Sequence, residues 1–272
     1  MPEIAEVETV RKVLKREIVD HRLKDINVRY PKIIVGDAGK FKDKLVGQKF
    51  TDIKRLGKWL IMELNDYYLL SHMRMEGKYF IKNHDEEINK HEHIIISLDN
   101  NKDLRYHDTR KFGRMILTTK DNLYDIPEIK KQGIEVGSSD LTLSYLKEKL
   151  HHKKLPIKTV LLDQSVISGL GNIYVNEVLF ASCINPLKEA RTLNDEEIKR
   201  IISSSKEIIN EAIEMGGTTI KSYTSSLGVE GNYQSKLQVQ GRENQKCFNC
   251  GSLIKKIKVG GRGTYYCPNC QK

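Results

Sequence analysis

The segment CFNCGSLIKKIKVGGRGTYYCPNC, residues Cys247 to Cys270, decides how the C-terminal part of this chain folds. Its spacing is Cys-x2-Cys-x16-Cys-x2-Cys. Each Cys-x2-Cys pair makes a tight knuckle that aims two thiolates at one point. Two knuckles complete a tetrahedral site for a single structural Zn2+. Cys247, Cys250, Cys267 and Cys270 then fill all four positions and leave none open for catalysis. Leu253–Lys258 and Gly263–Tyr266 read as two short strands, with Gly260-Gly261 as the turn between them. Two disulfides, or four unconnected thiols, are the alternative reading. The fifth cysteine, Cys183, stands apart and reads as a packed, buried thiol. An odd count with clustered pairs does not fit a secreted disulfide scaffold.

Charge concentrates in the same segment. The chain of 272 residues carries a net charge of +10. Between residues 241 and 272, Arg242, Lys246, Lys255, Lys256, Lys258, Arg262 and Lys272 face only Glu243. Such an excess favours a polyanionic partner, because Lys and Arg release counterions when they neutralise phosphates. At 39% hydrophobic and 30% charged, the chain can build a core. No apolar run approaches the length of a bilayer span, and residues 1–20 lack the apolar block of a secretory leader. The expectation is a soluble, cytoplasmic protein with no membrane contact.

At the other end, residues 2–19 predict a helix. Ile4, Val7, Val10, Leu14 and Ile18 form one apolar stripe. Glu3, Glu6 and Glu8 precede Arg11, Lys12, Lys15 and Arg16, an order that complements the helix dipole. Pro2 suits the first helical position. Residues 26–119 are mainly β, in runs around Phe50–Leu64, Tyr67–Ile81, His93–Leu98 and Leu104–Leu117. Asn65-Asp66 and Asp99-Asn100-Asn101 punctuate them as turns. Sequential strands with short turns predict an antiparallel sandwich or barrel. Gly133–Asp140 reads as a hinge. Helical patterns follow at Leu141–Leu150, Lys158–Asp163, Ile173–Phe180 and Asp195–Met215, with Ser165–Asn172 as a two-turn junction whose amides can grip phosphate. Residues 216–240 read as a mobile loop.

Pro2 also carries chemistry. Once Met1 is removed, it presents a secondary amine, a usable part of which is unprotonated near neutral pH. Attack of that amine on a sugar C1′ gives an iminium, an electron sink for later elimination. Carboxyls at Glu3 and Glu6 are placed to donate or shuttle protons. Read alone, the same residues make an ordinary helix start.

Five stretches change that balance: Met1-Pro2-Glu3-Ile4-Ala5-Glu6-Val7-Glu8-Thr9, His72-Met73-Arg74-Met75-Glu76-Gly77, Asp108-Thr109-Arg110-Lys111-Phe112-Gly113, Gly169-Leu170-Gly171-Asn172-Ile173-Tyr174 and Gly260-Gly261-Arg262-Gly263. With the cysteine spacing, and along the whole chain, they resemble the formamidopyrimidine-DNA glycosylase family. The chain departs from the family pattern at Ala5, where the family usually has Pro. That loosens the first helical turn but removes no reacting group.

The resemblance implies an α+β fold. It has an N-terminal helix and antiparallel β-sandwich over 1–133, and a helical helix-two-turn-helix domain with a lesion-capping loop over 134–240. A zinc β-hairpin covers 241–272. It implies a bifunctional DNA glycosylase and AP lyase that removes 8-oxoguanine and formamidopyrimidines from double-stranded DNA, acting as a monomer at the nucleoid. Pro2 would be the nucleophile, Glu3 the general acid, and Glu6 a support for the proton network. Lys58 and Arg262 join the catalytic group through the phosphates beside the lesion, and His72, Lys158 and Asn172 hold the DNA backbone. Met75, Arg110 and Phe112 resemble the triad that fills the gap left by an extruded base, and Glu76 is placed to touch that base. Two rivals stand beside this reading. One is a related endonuclease VIII for oxidised pyrimidines, whose members generally lack the Met/Arg/Phe triad. The other is a non-catalytic zinc protein that binds DNA.

Overall fold

A computed structural model describes residues 1–218 and 231–272. The chain forms two compact units. The first comprises Met1–Lys130 with Gly216–Gly231, and the second Lys131–Met215 with Asn232–Lys272.

The first unit opens with α1 (Ile4–Ile18), whose N-cap is Glu3. Pro2 therefore stands one residue before the cap rather than inside the helix. The reason is a capping box: the Glu6 carboxylate reaches back to the Glu3 amide, which fixes Glu3 in extended backbone. Ala5 is fully buried and the first turn stays helical without a proline there. Strands β1 (Leu23–Val28) and β2 (Ile34–Val35) and helix α2 (Ala38–Leu45) follow. The long apolar runs then break into separate strands: β3 (Phe50–Leu56), β4 (Trp59–Leu64), β5 (Tyr67–His72), β6 (Lys78–Asn83), β7 (Glu92–Leu98), β8 (Lys102–His107) and β9 (Arg114–Thr119). Asn65-Asp66 and Asp99–Asn101 form the expected turns.

Two sheets result, ordered β1-β7-β8-β6 and β2-β9-β5-β4-β3. All pairings are antiparallel except the two-residue edge β2–β9. Leu23, Ile96, Leu104 and Tyr106 of one sheet and Phe50, Leu60, Met62 and Leu69 of the other share one core, which Val7, Val10 and Leu14 of α1 complete. The opposite face of β4 is also covered. Trp59 and Ile61 pack with Leu123, Ile126 and Ile129, the last of these in α3 (Pro127–Lys130). Burial on both faces explains why Trp59-Leu60-Ile61-Met62 shows no alternation.

The second unit contains β10 (Ile134–Glu135), α4 (Leu143–Leu150), α5 (Ile157–Leu161), β11 (Ile167–Ser168), α6 (Asn172–Ala181), α7 (Asp195–Glu214), β12 (Lys255–Val259) and β13 (Arg262–Tyr266). The stretch expected to be a hinge instead supplies β10, paired parallel with β11. Helix α6 is buried from Ile173 to Phe180, so these residues present no face to solvent. Cys183, expected to be buried, is exposed. It ends α6 in the left-handed region at φ 58°, with Cys183 N–H on Phe180 O and Ile184 N–H on Leu179 O. That closure turns its side chain outward. Much of the loop expected at 216–240 lies outside the described residues; 233–236 form a 3-10 turn. Among the described residues no helix is long and apolar enough to cross a membrane.

Arg105 shows how the sandwich manages buried charge. It is fully enclosed and bonds Asp103 and Glu92, plus the carbonyls of Asn83, Glu86 and Glu87. Arg105→Met takes the guanidinium from both carboxylates, leaving Glu92 with Lys82 and Asp103 with His84 and Ser97. We expect a stability loss of about 3–5 kcal/mol, read as a lowered urea midpoint at neutral pH.

Candidate active site and nucleic-acid interface

Pro2, Glu3 and Glu6 are all buried at the start of α1. Glu6 joins two distant pieces of the first unit. Its Oε2 accepts Glu3 N–H at 2.8 Å, and its Oε1 accepts Thr218 N–H at 2.8 Å and the Thr218 hydroxyl at 3.0 Å. Glu6 thus fixes the residue after Pro2 and the stem of the 219–230 segment at once. Thr218 lies 212 residues away, and nothing in the sequence marks this pairing. While Met1 is attached, the Pro2 nitrogen belongs to an amide and has no available lone pair; its removal creates the amine.

Lys58 lies in the tight β3–β4 turn and is buried, not the solvated strand lysine its surroundings suggest. Arg55 sets this turn: its guanidinium bonds Gly57 O at 3.1 Å and Glu8 of α1 at 3.0 Å. Burial works against a charged Glu8, but bonds from Arg11 and Arg55 pull its carboxyl below the usual range. Glu8 and Arg55 thereby tie the Lys58 turn to the helix that begins at Pro2, a role the sequence did not single out.

His72, the last residue of β5, lies edge-on to Trp59 at 4.9 Å. Burial, then the charges of Arg74 and Lys58, push its pKa down to about 3. The neutral ring accepts Arg74 N–H on Nδ1 at 3.0 Å. Its one hydrogen therefore sits on Nε2, which makes it a donor suited to a phosphate oxygen.

The three residues of the expected triad sit on two turns. Met75 is half-buried in the 73–77 turn, between β5 and β6. Arg110 and Phe112 lie in the 108–113 turn, between β8 and β9. Phe112 is 53% exposed, with the Arg110 guanidinium over its ring at 4.8 Å. It is no core residue. Glu76 accepts a hydrogen bond from the Thr109 hydroxyl, which links the two turns.

In the second unit, Gly171, not Asn172, caps α6. Asn172 is the first helical residue, and its Nδ2 donates to Gly263 O at 3.1 Å. Lys158 is fully enclosed; its ammonium bonds Gly263 O at 2.9 Å and Thr264 Oγ1 at 2.7 Å. A side chain with no solvent access cannot lie against DNA, so the expectation of direct contact by Lys158 is corrected: it braces β13. Gly260, at φ +55°, presses against Thr159 with no room for a side chain. The outcome is an Arg262 held exposed at the hairpin turn.

The four cysteine sulfurs lie within 4.8 Å of one another, with Cys247–Cys270 at 3.9 Å and Cys250–Cys267 at 3.5 Å. A tetrahedron of Zn–S bonds places sulfurs about 3.8 Å apart. The set fits one structural zinc ion, and Phe180, Val239 and Ile254 pack against it. The hairpin β12–β13 turns at Gly260-Gly261 as expected, with its first strand beginning two residues later than predicted.

Family models for the formamidopyrimidine-DNA glycosylase N-terminal domain, its H2TH domain and a zinc finger found in FPG and IleRS match residues 1–115, 132–224 and 244–272. The chain belongs to the formamidopyrimidine-DNA glycosylase family. A family member from Lactobacillus delbrueckii subsp. bulgaricus is 42% identical over 100% of both chains, and one from Bacillus cereus is 43% identical over 100% of this chain and 99% of its own. A solved Lactococcus lactis FPG mutant bound to Fapy-dG DNA matches over 100% of both chains, at 40% identity and TM-score 0.95. The same protein with DNA containing an abasic site also matches at TM-score 0.95.

Two outcomes follow for this glycosylase. Replacing Cys250 with Ser should release one zinc per chain by metal analysis and weaken DNA binding, because Arg262 loses its mount. His72 binds its proton more weakly folded than unfolded. Its contribution to stability is full above pH 6.5 and fades as pH falls toward 3. NMR should show a neutral Nε2–H imidazole for His72 from pH 8 down to 5; a normal titration near 6.5 contradicts this.

Proposed function

We propose that the protein is a bifunctional DNA glycosylase and AP lyase for oxidised purines, 8-oxoguanine and formamidopyrimidines, in double-stranded DNA. The single observation that carries it is the start of the chain. A proline stands at a buried helix N-terminus with Glu3 and Glu6, and the chain belongs throughout its length to this family.

The Pro2 amine, freed of Met1, attacks C1′ of the damaged nucleotide. The C1′–N bond breaks and the base leaves with its electron pair, protonated from solvent or a carboxyl. Glu3 donates a proton to the ring oxygen as the sugar opens to the iminium. Loss of the C2′ proton drives β-elimination of the 3′ phosphate; δ-elimination then releases the 5′ phosphate, and water hydrolyses the iminium. Glu6 holds Glu3 and Thr218. Lys58, His72 and Arg262 take DNA phosphates. Asn172 and Lys158 act by bracing Gly263 behind Arg262. Met75, Arg110 and Phe112 fill the space of the extruded base, Arg110 bonding its orphaned partner. The protein works in the cytoplasm, at the nucleoid, as a monomer.

Oxidised pyrimidines are the second reading, since the Lactococcus lactis protein has been solved with DNA containing one, at 40% identity to this chain. The exposed Phe112 beneath Arg110 favours the purine reading. Faster excision of 8-oxoguanine opposite cytosine than of thymine glycol distinguishes them.

Mass spectrometry of the mature protein should find Pro2 at its N-terminus. Borohydride with lesion DNA should trap an adduct on the Pro2 peptide. Pro2→Gly should bind lesions but lose excision, and Glu3→Gln should slow base release by about 10²–10⁴-fold. Unchanged excision by Pro2→Gly removes the nucleophile; no adduct from correctly processed protein defeats the assignment.

A further inference from the structure

We propose that Tyr106 and Asp108 are positioning residues for base extrusion, locking the Met75 turn and the Arg110–Phe112 turn into one preformed wedge. The inference rests on the glycosylase reading and concerns a step before its chemistry.

Each turn holds a non-glycine residue in the left-handed region beside a wedge residue: Arg74 at φ 55° and Lys111 at φ 59°. Such conformations are strained and persist only where the surroundings over-determine them. Asp108 supplies that determination in its own turn. Its side chain is fully buried. Oδ1 accepts Arg110 N–H at 3.0 Å and Oδ2 accepts Gly113 N–H at 2.8 Å, so both ends of the turn hang on one carboxylate. The Asp108 carbonyl is in turn bonded to the His93 ring at 2.8 Å.

Tyr106 connects the two turns. Its hydroxyl approaches Asp108 Oδ2 at 3.4 Å, and a Cβ at either Gly77 or Gly113 would overlap that hydroxyl. Gly77 closes the Met75 turn, donating to Met73 O at 2.9 Å. Tyr79 backs the Tyr106 ring at 5.2 Å and is itself tied to Ser71 at 2.6 Å. Thr109–Glu76 adds a second link at the surface. The backbone that carries the exposed Phe112 is therefore fixed from beneath by buried groups.

A wedge mounted on floppy turns would lose much of its insertion energy in ordering them; a preformed one does not. The roles of Tyr106 and Asp108 thus lie in the extrusion step and not in the attack by Pro2.

The test compares the full-length protein with Tyr106→Phe and Asp108→Asn on two substrates. A duplex with 2-aminopurine beside 8-oxoguanine reports extrusion by stopped-flow fluorescence. A single-stranded abasic oligonucleotide, which has no stack to invade, reports lyase chemistry and borohydride trapping. We expect the extrusion phase to slow by roughly 3–10-fold in each variant, the effect of losing one buried hydrogen bond, with lyase rate and trapping on the single strand unchanged. Extrusion at the wild-type rate in both variants overturns the proposal. So does an equal fall on both substrates, which marks a general loss of structure. Failure of the wild-type protein itself to trap on the single strand would count against the Pro2 reading instead.

Discussion

The Glu6 carboxylate is the constraint from which the site of the first unit is built. One oxygen holds the residue after Pro2 and the other holds Thr218. If Pro2 acts as proposed, its position depends on the groups that fix the residue beside it. Glu6 supplies this by capping the helix it belongs to. Burial makes the arrangement unforgiving: both oxygens need their donors, which ties the helix start and Thr218 to a single geometry. From there the constraint passes along α1 to Glu8, across to Arg55, and into the turn of Lys58.

What could be seen in the sequence is what has a period or a spacing. The apolar stripe of α1, the punctuated strands and the cysteine knuckles are local patterns, and they reappear where expected. The candidate site was legible mostly through the resemblance, since His72, Lys58 and Phe112 each look ordinary among their neighbours. Tertiary bonds account for what was not visible. Asn172 closes the two-turn junction in sequence, yet in the fold it follows a glycine cap and its amide is engaged across the unit. The resemblance implied that Lys158 holds the DNA backbone, and only burial separates a brace from a contact. Cys183 looked packed because cysteine usually is; a left-handed helix end put it outside instead.

The second unit solves a related problem with a metal. A hairpin of two five-residue strands has too little apolar surface to hold its shape. Zinc fixes one end, the core around Phe180 and Val239 fixes one face, and the Lys158 ammonium with Asn172 fixes Gly263. Arg262 can then stand exposed on a backbone that has little freedom left. Each unit thus has backbone fixed by buried polar bonds between residues far apart in sequence, Glu6 to Thr218 in the first and Lys158 to Gly263 in the second.

The neutral ring of His72 has a consequence for how the protein and DNA would separate in brine. Cationic side chains hold phosphates largely because ions are expelled into bulk solution, a gain that shrinks as that solution grows more concentrated. An uncharged Nε2–H donor expels none. In the proposed complex, His72 would keep its share of the grip under ionic conditions that loosen Lys58 and Arg262, giving the site one anchor indifferent to the cell's osmotic history.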